Sequence, residues 1–180
     1  MQIETRRFLI RDFAPDDAPA FLAYHADPRS SKFHGQDAVP PGALLTMFQD
    51  WATEHPRRNY QFAVVQRREP YSLVGCAGLR CAGLPSGQAE FGVELAPDYW
   101  GAYAYAVEIG RALLDFGFET LGLEVVVGST VGGNAAVARL AEWFGAEIVA
   151  TRPGPDWMLQ GDWRSVDWRI TREVWQHQTS

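Results

Sequence analysis

Apolar residues along this chain switch between a spacing of two and a spacing of three to four, and the switches mark out its elements. Phe8 and Ile10 alternate with Arg7, Leu9 and Arg11, so Ile3 to Arg11 reads as a first strand with a basic face. Ala14-Pro15-Asp16-Asp17 is a helix start, a proline with acids in the first turn. That helix runs to about Ala26 and breaks at Asp27-Pro28. Arg29 to Val39 is polar and irregular, and Pro40-Pro41 opens a second helix through Leu44, Leu45, Phe48 and Trp51 to about Glu54. Tyr60 to Gln66 and Leu73 to Leu79 form a strand pair around the turn Arg67-Arg68-Glu69-Pro70, with Gly75 and Gly78 weakening the second strand. A loop rich in Gly, Pro and Ser, Ala82 to Gln88, leads into the strand Ala89 to Leu95.

After Pro97-Asp98 the period becomes helical. Glu108, Arg111, Asp115 and Glu119 line one face, and Val107, Gly110, Leu114 and Phe118 another. Leu123 to Ser129 is a nearly continuous apolar run, which suits a strand buried on both faces. Asn134 is placed to cap a helix from Ala135 to Trp143, closed by Gly145. Ala146 to Thr151 and Val166 to Val174 read as two last strands. The pattern therefore predicts an α/β chain of about seven strands and four helices.

Composition narrows the class. At 180 residues the chain suits a single domain spanning 1–180, with a real core. A formal charge of −6 argues against nucleic acid as a partner and is compatible with a cationic or amine substrate. Lys32 is the only lysine beside fifteen arginines, which reflects genome composition before function. With no apolar leader at Met1 and no long apolar run, neither secretion nor a membrane span is expected, and the cytoplasm is. Cys76 and Cys81 have no ligand pair nearby, so they are expected as free thiols rather than a metal site.

One stretch carries candidate chemistry. Strand Ala89–Leu95 is followed by Trp100 and the small residues Gly101, Ala102, Ala104 and Ala106, interleaved with Tyr103 and Tyr105, before the helix. The first turn of a helix has N–H groups without internal partners at the positive end of its dipole. Small side chains would let a pyrophosphate reach them. The alternative is a tight strand-to-helix turn packed under an aromatic. The run is neither a Walker loop nor a dinucleotide fingerprint, because Gly-Lys-Ser/Thr and Gly-x-Gly-x-x-Gly are both absent.

Glu90-Phe91-Gly92-Val93-Glu94-Leu95-Ala96-Pro97-Asp98-Tyr99-Trp100-Gly101 resembles the fourth strand and phosphate loop of the GNAT N-acetyltransferases, nearest the RimJ/RimL branch of ribosomal-protein N-terminal acetyltransferases. Three further stretches support the resemblance in the right order. Thr5 to Arg11 is similar to the branch's Thr-x-Arg-Leu-x-Leu-Arg opening, Asn134 to Ala146 to its Asn-x-Ala-Ser-x-x-x-Leu-Glu-Lys-Leu-Gly-Phe helix, and Gly161 to Trp168 to the Gly-x-x-x-Asp element of the last strand. The loop from Trp100 to Glu108 is one residue longer than the branch pattern, with Ala104 in the place of its second Gly. Val137 stands for a Ser, Ala146 for a Phe, and Ala141 occupies the position of a Tyr that in many GNAT enzymes protonates the leaving thiolate. A thiolate with a pKa near ~8.5 leaves without a strong acid, so these losses do not abolish acyl transfer.

The resemblance implies a GNAT fold with a mixed, mostly antiparallel sheet. It also implies direct attack of a primary amine on the thioester of acetyl-CoA, the acceptor being a peptide α-amine, an amino sugar or a polyamine. Val93 and Leu95 are implied as backbone contacts to the cofactor, with an N–H near Glu94 and Leu95 polarising the carbonyl. Trp100, Gly101, Ala102, Tyr103, Ala104, Tyr105 and Ala106 are implied at the phosphates. Glu94 is the first candidate base and Glu90 the second; both share one strand face, which is otherwise an ordinary solvated face. Asn134 meets the pantetheine arm or simply caps its helix, and Arg139 meets the phosphates or is a surface arginine. Phe33, His34 and Trp51, in the helical pair that flanks the acceptor cleft in this fold, are candidate acceptor contacts. No metal is implied, and the assembly is a monomer or homodimer. Two further readings compete: an acyl-CoA-binding regulatory protein without turnover, motivated by Ala104, Val137 and Ala141, and an acidic partner-binding domain that has lost the cofactor.

Overall fold

A computed structural model of the chain describes residues 1–30, 39–101, 103–159 and 161–179. One eight-stranded sheet organises it, with strands β1 (Gln2–Glu4), β2 (Phe8–Arg11), β3 (Asn59–Gln66), β4 (Leu73–Arg80), β5 (Gln88–Leu95), β6 (Val125–Val131), β7 (Glu147–Pro153) and β8 (Arg164–Thr171). Their spatial order is β1-β2-β3-β4-β5-β6-β8-β7, and every neighbouring pair is antiparallel except β5 with β6. The helices are α1 (Ala18–Ala26), α2 (Pro41–Thr53), α3 (Tyr103–Asp115), α4 (Ala135–Trp143), α5 (Asp156–Leu159) and α6 (Arg172–Thr179).

The α/β class and the mixed, mostly antiparallel sheet follow the pattern of the sequence, with four differences. The expected first strand, Ile3 to Arg11, is a hairpin of two strands, because the Thr5 hydroxyl bonds the Phe8 carbonyl and amide and turns the chain. That raises the count from seven strands to eight. The last strand ends at Thr171 rather than Val174, and α6 follows, driven by burial of Trp175 against Phe118 and Phe144. With the short α5, the helices number six among the described residues instead of four. The run Leu123–Ser129 forms a strand starting at Val125, and it buries only one face, through Val126 and Gly128.

Two cores flank the sheet. On one face Phe8, Ile10, Phe62, Val64, Leu79 and Val126 pack against Ile109, Leu113, Leu114 and Phe118 of α3 and its π-helical extension, and Leu140 and Phe144 of α4 and the turn after it. On the other, Ala63, Val65, Leu73 and Cys76 meet Phe21 and Tyr24 of α1 and Leu45 and Phe48 of α2. At Gly75 a Cβ would strike the carbonyl oxygen of Glu94, so only glycine lets β4 follow β5 this closely.

The feature that positions the site is a seam. β5 pairs with β6 only from Gln88 to Glu90, opposite Val125 to Val127. From Phe91 onward β5 pairs with β4 alone, while β6 continues against β8. The sheet therefore opens in a V between two parallel strands. Cys76 is buried and Cys81 half-buried, both as free thiols. Among the described residues no helix is long and apolar enough to cross a membrane, and no group of three or more His, Cys, Asp or Glu is placed to hold a metal.

Candidate active site

The V holds a cleft of about 430 Å³. Arg80, Glu90, Phe91, Gly92 and Val93 line one wall, Ser129, Thr130 and Val131 the other, and Asn134, Val137, Ala141 and Trp168 close its end. The β5 wall also presents backbone. The carbonyl of Gly87 accepts from Val125 on β6, and backbone groups alternate sides along a strand. The amides and carbonyls of Phe91, Val93 and Leu95 therefore face β6 beyond the point where pairing stops. A ligand with amides of its own can bond there as a substitute strand. The Leu95 carbonyl is already taken by the Trp100 indole N–H at 2.7 Å, which leaves the Leu95 N–H.

Trp100 is half exposed and folds back on β5, and Gly101 follows with φ +81. A Cβ at Gly101 would meet nothing within 4 Å, so the approach to the α3 N-terminus is open. The helix begins at Tyr103, earlier than the sequence pattern indicates, so Ala104, Tyr105 and Ala106 belong to its first turn. Of these three, the amides of Ala104 and Tyr105 are among the four without intrahelical partners. Their side chains have other work: Tyr105 packs edge-on to Phe8, and Ala106 joins the core. The turn is anchored from outside by Glu108, which accepts from the Thr5 hydroxyl at 2.6 Å, the Arg7 amide at 2.8 Å and the Arg7 guanidinium at 2.6 Å. Arg7 also donates to the Ala104 carbonyl and lies over the Tyr105 ring. Burial pushes the Glu108 carboxyl up, but these donors outweigh it and hold it below the ordinary range.

Glu94 lies one residue past the cleft lining, on the face of β5 that looks toward α1 and α2. Its carboxylate is 3.3 Å from Nε2 of His25, a side chain only 9% exposed. Nδ1 of His25 is 3.0 Å from the Phe21 carbonyl, which can only accept, so Nδ1 carries a proton. Nε2 is then the ring nitrogen turned toward the Glu94 carboxylate. Tyr24 and Cys76 adjoin it, hydroxyl to sulfur at 3.7 Å. Burial, followed by the Glu94 charge, pushes the Cys76 thiol up to about 12. Burial first, then Cys76 and Glu94, raises the Tyr24 phenol further. Both are neutral at pH 7, so Cys76 is a thiol and not a nucleophile.

Other sequence candidates are distributed as follows. Glu90 is exposed and pairs with Arg80 at 3.4 Å. Asn134 lines the cleft and also caps α4, its Oδ1 accepting from the Val137 amide at 3.3 Å. Arg139 is exposed on α4. Trp51 packs on Phe48 beside the second core. Phe33, His34, Ala102 and the side chain of Tyr103 lie outside the described residues. Sequence reasoning did not bring Tyr24, His25 or Arg80 to this strand. No local pattern marks them, because they converge only when α1 packs across β4 and β5.

Residues 7–147 match the family described as acetyltransferase (GNAT) domain. A Bacillus subtilis protein described as an uncharacterized N-acetyltransferase, YoaA, is 24% identical over 139 residues, covering 77% of this chain and 78% of its own. Among solved structures, a ribosomal-protein-S5-alanine acetyltransferase from Vibrio fischeri superposes with a TM-score of 0.79 at 13% identity, over 97% of this chain and 98% of that one. The spermidine N-acetyltransferase of Vibrio cholerae, solved with CoA and spermine, gives 0.77 at 15% identity, over 96% and 99%. At these identities the two structures speak to the fold.

Proposed function

The chain belongs to the GNAT acetyltransferase family, and from that premise we propose that it transfers the acetyl group of acetyl-CoA to a primary amine, with Glu94 as the base. Acetyl-CoA supplies a thioester whose carbonyl carbon the amine attacks as the carbon–sulfur bond breaks. The residues present suit that cosubstrate. The α3 first turn, bare at Gly101, offers N–H groups to the diphosphate, and Phe91 and Val93 offer backbone to the amides of the arm. The Leu95 N–H is the donor aimed at the thioester oxygen. Asn134 and Val137 bound the far side of the arm.

Glu94 takes the proton of the incoming ammonium, and His25 fixes the carboxylate and shares that proton. The neutral Tyr24 hydroxyl and Cys76 thiol keep a competing anion away from the pair. Glu90, exposed and held by Arg80, is the weaker base candidate. Ala141 offers no acid to the leaving sulfur, so the thiolate departs unprotonated. The stretch Glu90–Gly101 favours the RimJ/RimL branch, from which the longer loop Trp100–Glu108 departs.

The observation that carries this reading is the opening of β5 from β6 with the Glu94–His25 pair beside it. Titration calorimetry with acetyl-CoA at about millimolar concentration tests the cosubstrate, and release of CoA thiol across an amine panel tests turnover. No binding of acetyl-CoA overturns the reading. Binding without turnover on any amine selects the alternative favoured by Val137 and Ala141 in the cleft, an acyl-CoA-binding regulatory protein.

A further inference from the structure

Given that reading of the cleft, we propose that the acceptor is an amino acid, its carboxylate held by Arg80 while its α-amine meets Glu94. Arg80 on β4 stands opposite Glu90 on β5, on the sheet face that carries Glu94. Gly92 lies midway between the two glutamates. A Cβ built there comes to 3.1 Å from Nη2 of Arg80 and 3.9 Å from Nη1, so the guanidinium lies across the bare backbone of Gly92. Gly78, the cross-strand partner of Gly92, is covered in the same way by the Gln61 amide. Two adjacent glycines thus make a trough, and its floor is polar instead of apolar.

The guanidinium in that trough is under-used. It lines the cleft, and its one described contact is Nη2 with Glu90 at 3.4 Å. Its Nε is buried without a hydrogen-bond partner, as is Oε1 of Gln61. Arg carries five N–H donors in a planar fork that fits a carboxylate with two parallel bonds. Cys76 and Arg80 share one face of β4, and they stand opposite Glu94 and Glu90 respectively.

Spacing selects the acceptor. Gly92 and Glu94 are two residues apart on one strand, about 7 Å. Two hydrogen bonds of about 2.8 Å, joined by the short N–Cα–C link of an α-amino acid, span that distance. A polyamine would set a second ammonium against Arg80 and be repelled. An amino sugar would bring only hydroxyls, with no second carboxylate to fill the fork that Glu90 meets at one nitrogen. An amino acid supplies the ammonium to one end and the carboxylate to the other.

The experiment compares each proteinogenic L-amino acid with the amine that remains when its carboxylate is removed, using wild type and Arg80→Met. Thiol release gives kcat/KM, and calorimetry in the presence of CoA gives amino-acid binding without turnover. For the best amino acid, wild type is expected to prefer it over its decarboxylated amine by about 10- to 100-fold, the range for a hydrogen-bonded charge. In Arg80→Met that preference is expected to fall to near one, the loss appearing in the KM of the amino acid relative to its amine. Equal or better use of the decarboxylated amines by wild type overturns the proposal, and so does an equal loss on both acceptors in the variant. The two readings fail separately. Amino-acid binding that Arg80→Met abolishes, with no turnover, supports the carboxylate site and removes the transferase step. Turnover restricted to amines without a carboxylate does the reverse, and binding of no amino acid to wild type removes the carboxylate site.

Discussion

The two faces of the sheet are built from the same strands and do opposite things. Under α3 and α4, β3, β4 and β5 contribute Phe62, Val64, Ala77, Leu79, Phe91 and Val93, all apolar. Under α1 and α2 the alternate positions of those strands add Asn59, Gln61, Arg80, Glu90 and Glu94 to the apolar Ala63, Val65 and Leu73. Asn59 and Gln61 are 6% and 4% exposed, and His25 reaches this face from α1. Period-two alternation lets one strand serve both purposes. The first face stabilises by removing apolar surface from water. The second gives up stability, since a buried polar atom without a partner, such as Oε1 of Gln61, costs about 1–3 kcal/mol. Polar groups gathered on one face, beside the parallel seam between β5 and β6, are where chemistry is to be expected.

The contrast is broken most severely by Glu94→Gln. The amide keeps the shape and can still meet His25, but it cannot take a proton. A fall in kcat of about 10²- to 10⁴-fold is expected, the contribution typical of a general base, with the thermal midpoint hardly moved. A loss below about tenfold would remove Glu94 from the base role. On the opposite face Phe62→Ala should do the converse. Phe62 is fully buried and edge-on to Phe116. Its truncation is expected to cost about 3–5 kcal/mol of unfolding free energy in a denaturant titration. A smaller cost would mean that this face can collapse around a void.

The apolar face was largely legible along the chain and the polar face was not. Val107, Gly110, Leu114 and Phe118 recur at helical spacing, and α3 with its extension uses that stripe against the core. Asn134 and Gly145 announce the ends of α4, and both act there. Periodicity reports local repetition, so it finds whatever repeats. The Thr5 turn escaped it, because a single hydroxyl splits one alternating run into two strands. Trp175 escaped it too, since the helical stripe of α6 is only one turn deep in the core. The site depends on a different kind of fact. Glu94 stood out as a carboxylate on a motif-bearing strand, but His25 and Arg80 reach it from α1 and β4, far apart in sequence. Only the fold brings them together.

Glu108 ties the turn at Thr5 and Arg7 to the start of α3, and Glu108→Gln sharpens the comparison at intermediate size. The variant loses the ionic contact with Arg7, and a cost of about 1.5–3 kcal/mol is expected for a hydrogen-bonded charge in this partly buried setting. Its pH signature is distinctive. Glu108 and Asp12 are both held below their ordinary carboxylate values; burial opposes this in each, and Arg7 and Arg57 respectively help to overcome it. A carboxyl depressed in the folded state stabilises fully above its unfolded pKa, 4.5 for Glu108 and 3.8 for Asp12, and that stability is lost as pH falls through the lower folded value. Unfolding free energy should therefore decline below about pH 4.5 in wild type and decline less steeply in Glu108→Gln. Parallel curves would show that Glu108 contributes nothing by its charge.

The smallest expected effect settles whether Asn134 belongs to the scaffold or to the cleft. As a cap it accepts one amide hydrogen bond at 3.3 Å, long for this geometry, and its loss to Ala should cost about 1 kcal/mol. Asn134→Asp keeps an acceptor for the Val137 amide and a charge suited to the helix dipole, but removes the side-chain N–H donors that face the cleft. If Asn134 only caps, Asp restores stability, and acetyl-CoA affinity is the same in all three proteins. If it also bonds the pantetheine arm, Asp restores the unfolding free energy while affinity falls about three- to tenfold, the worth of one neutral hydrogen bond. Stability and affinity moving apart in Asn134→Asp would mean that one side chain serves both the fold and the cosubstrate at the point where α4 meets the open seam.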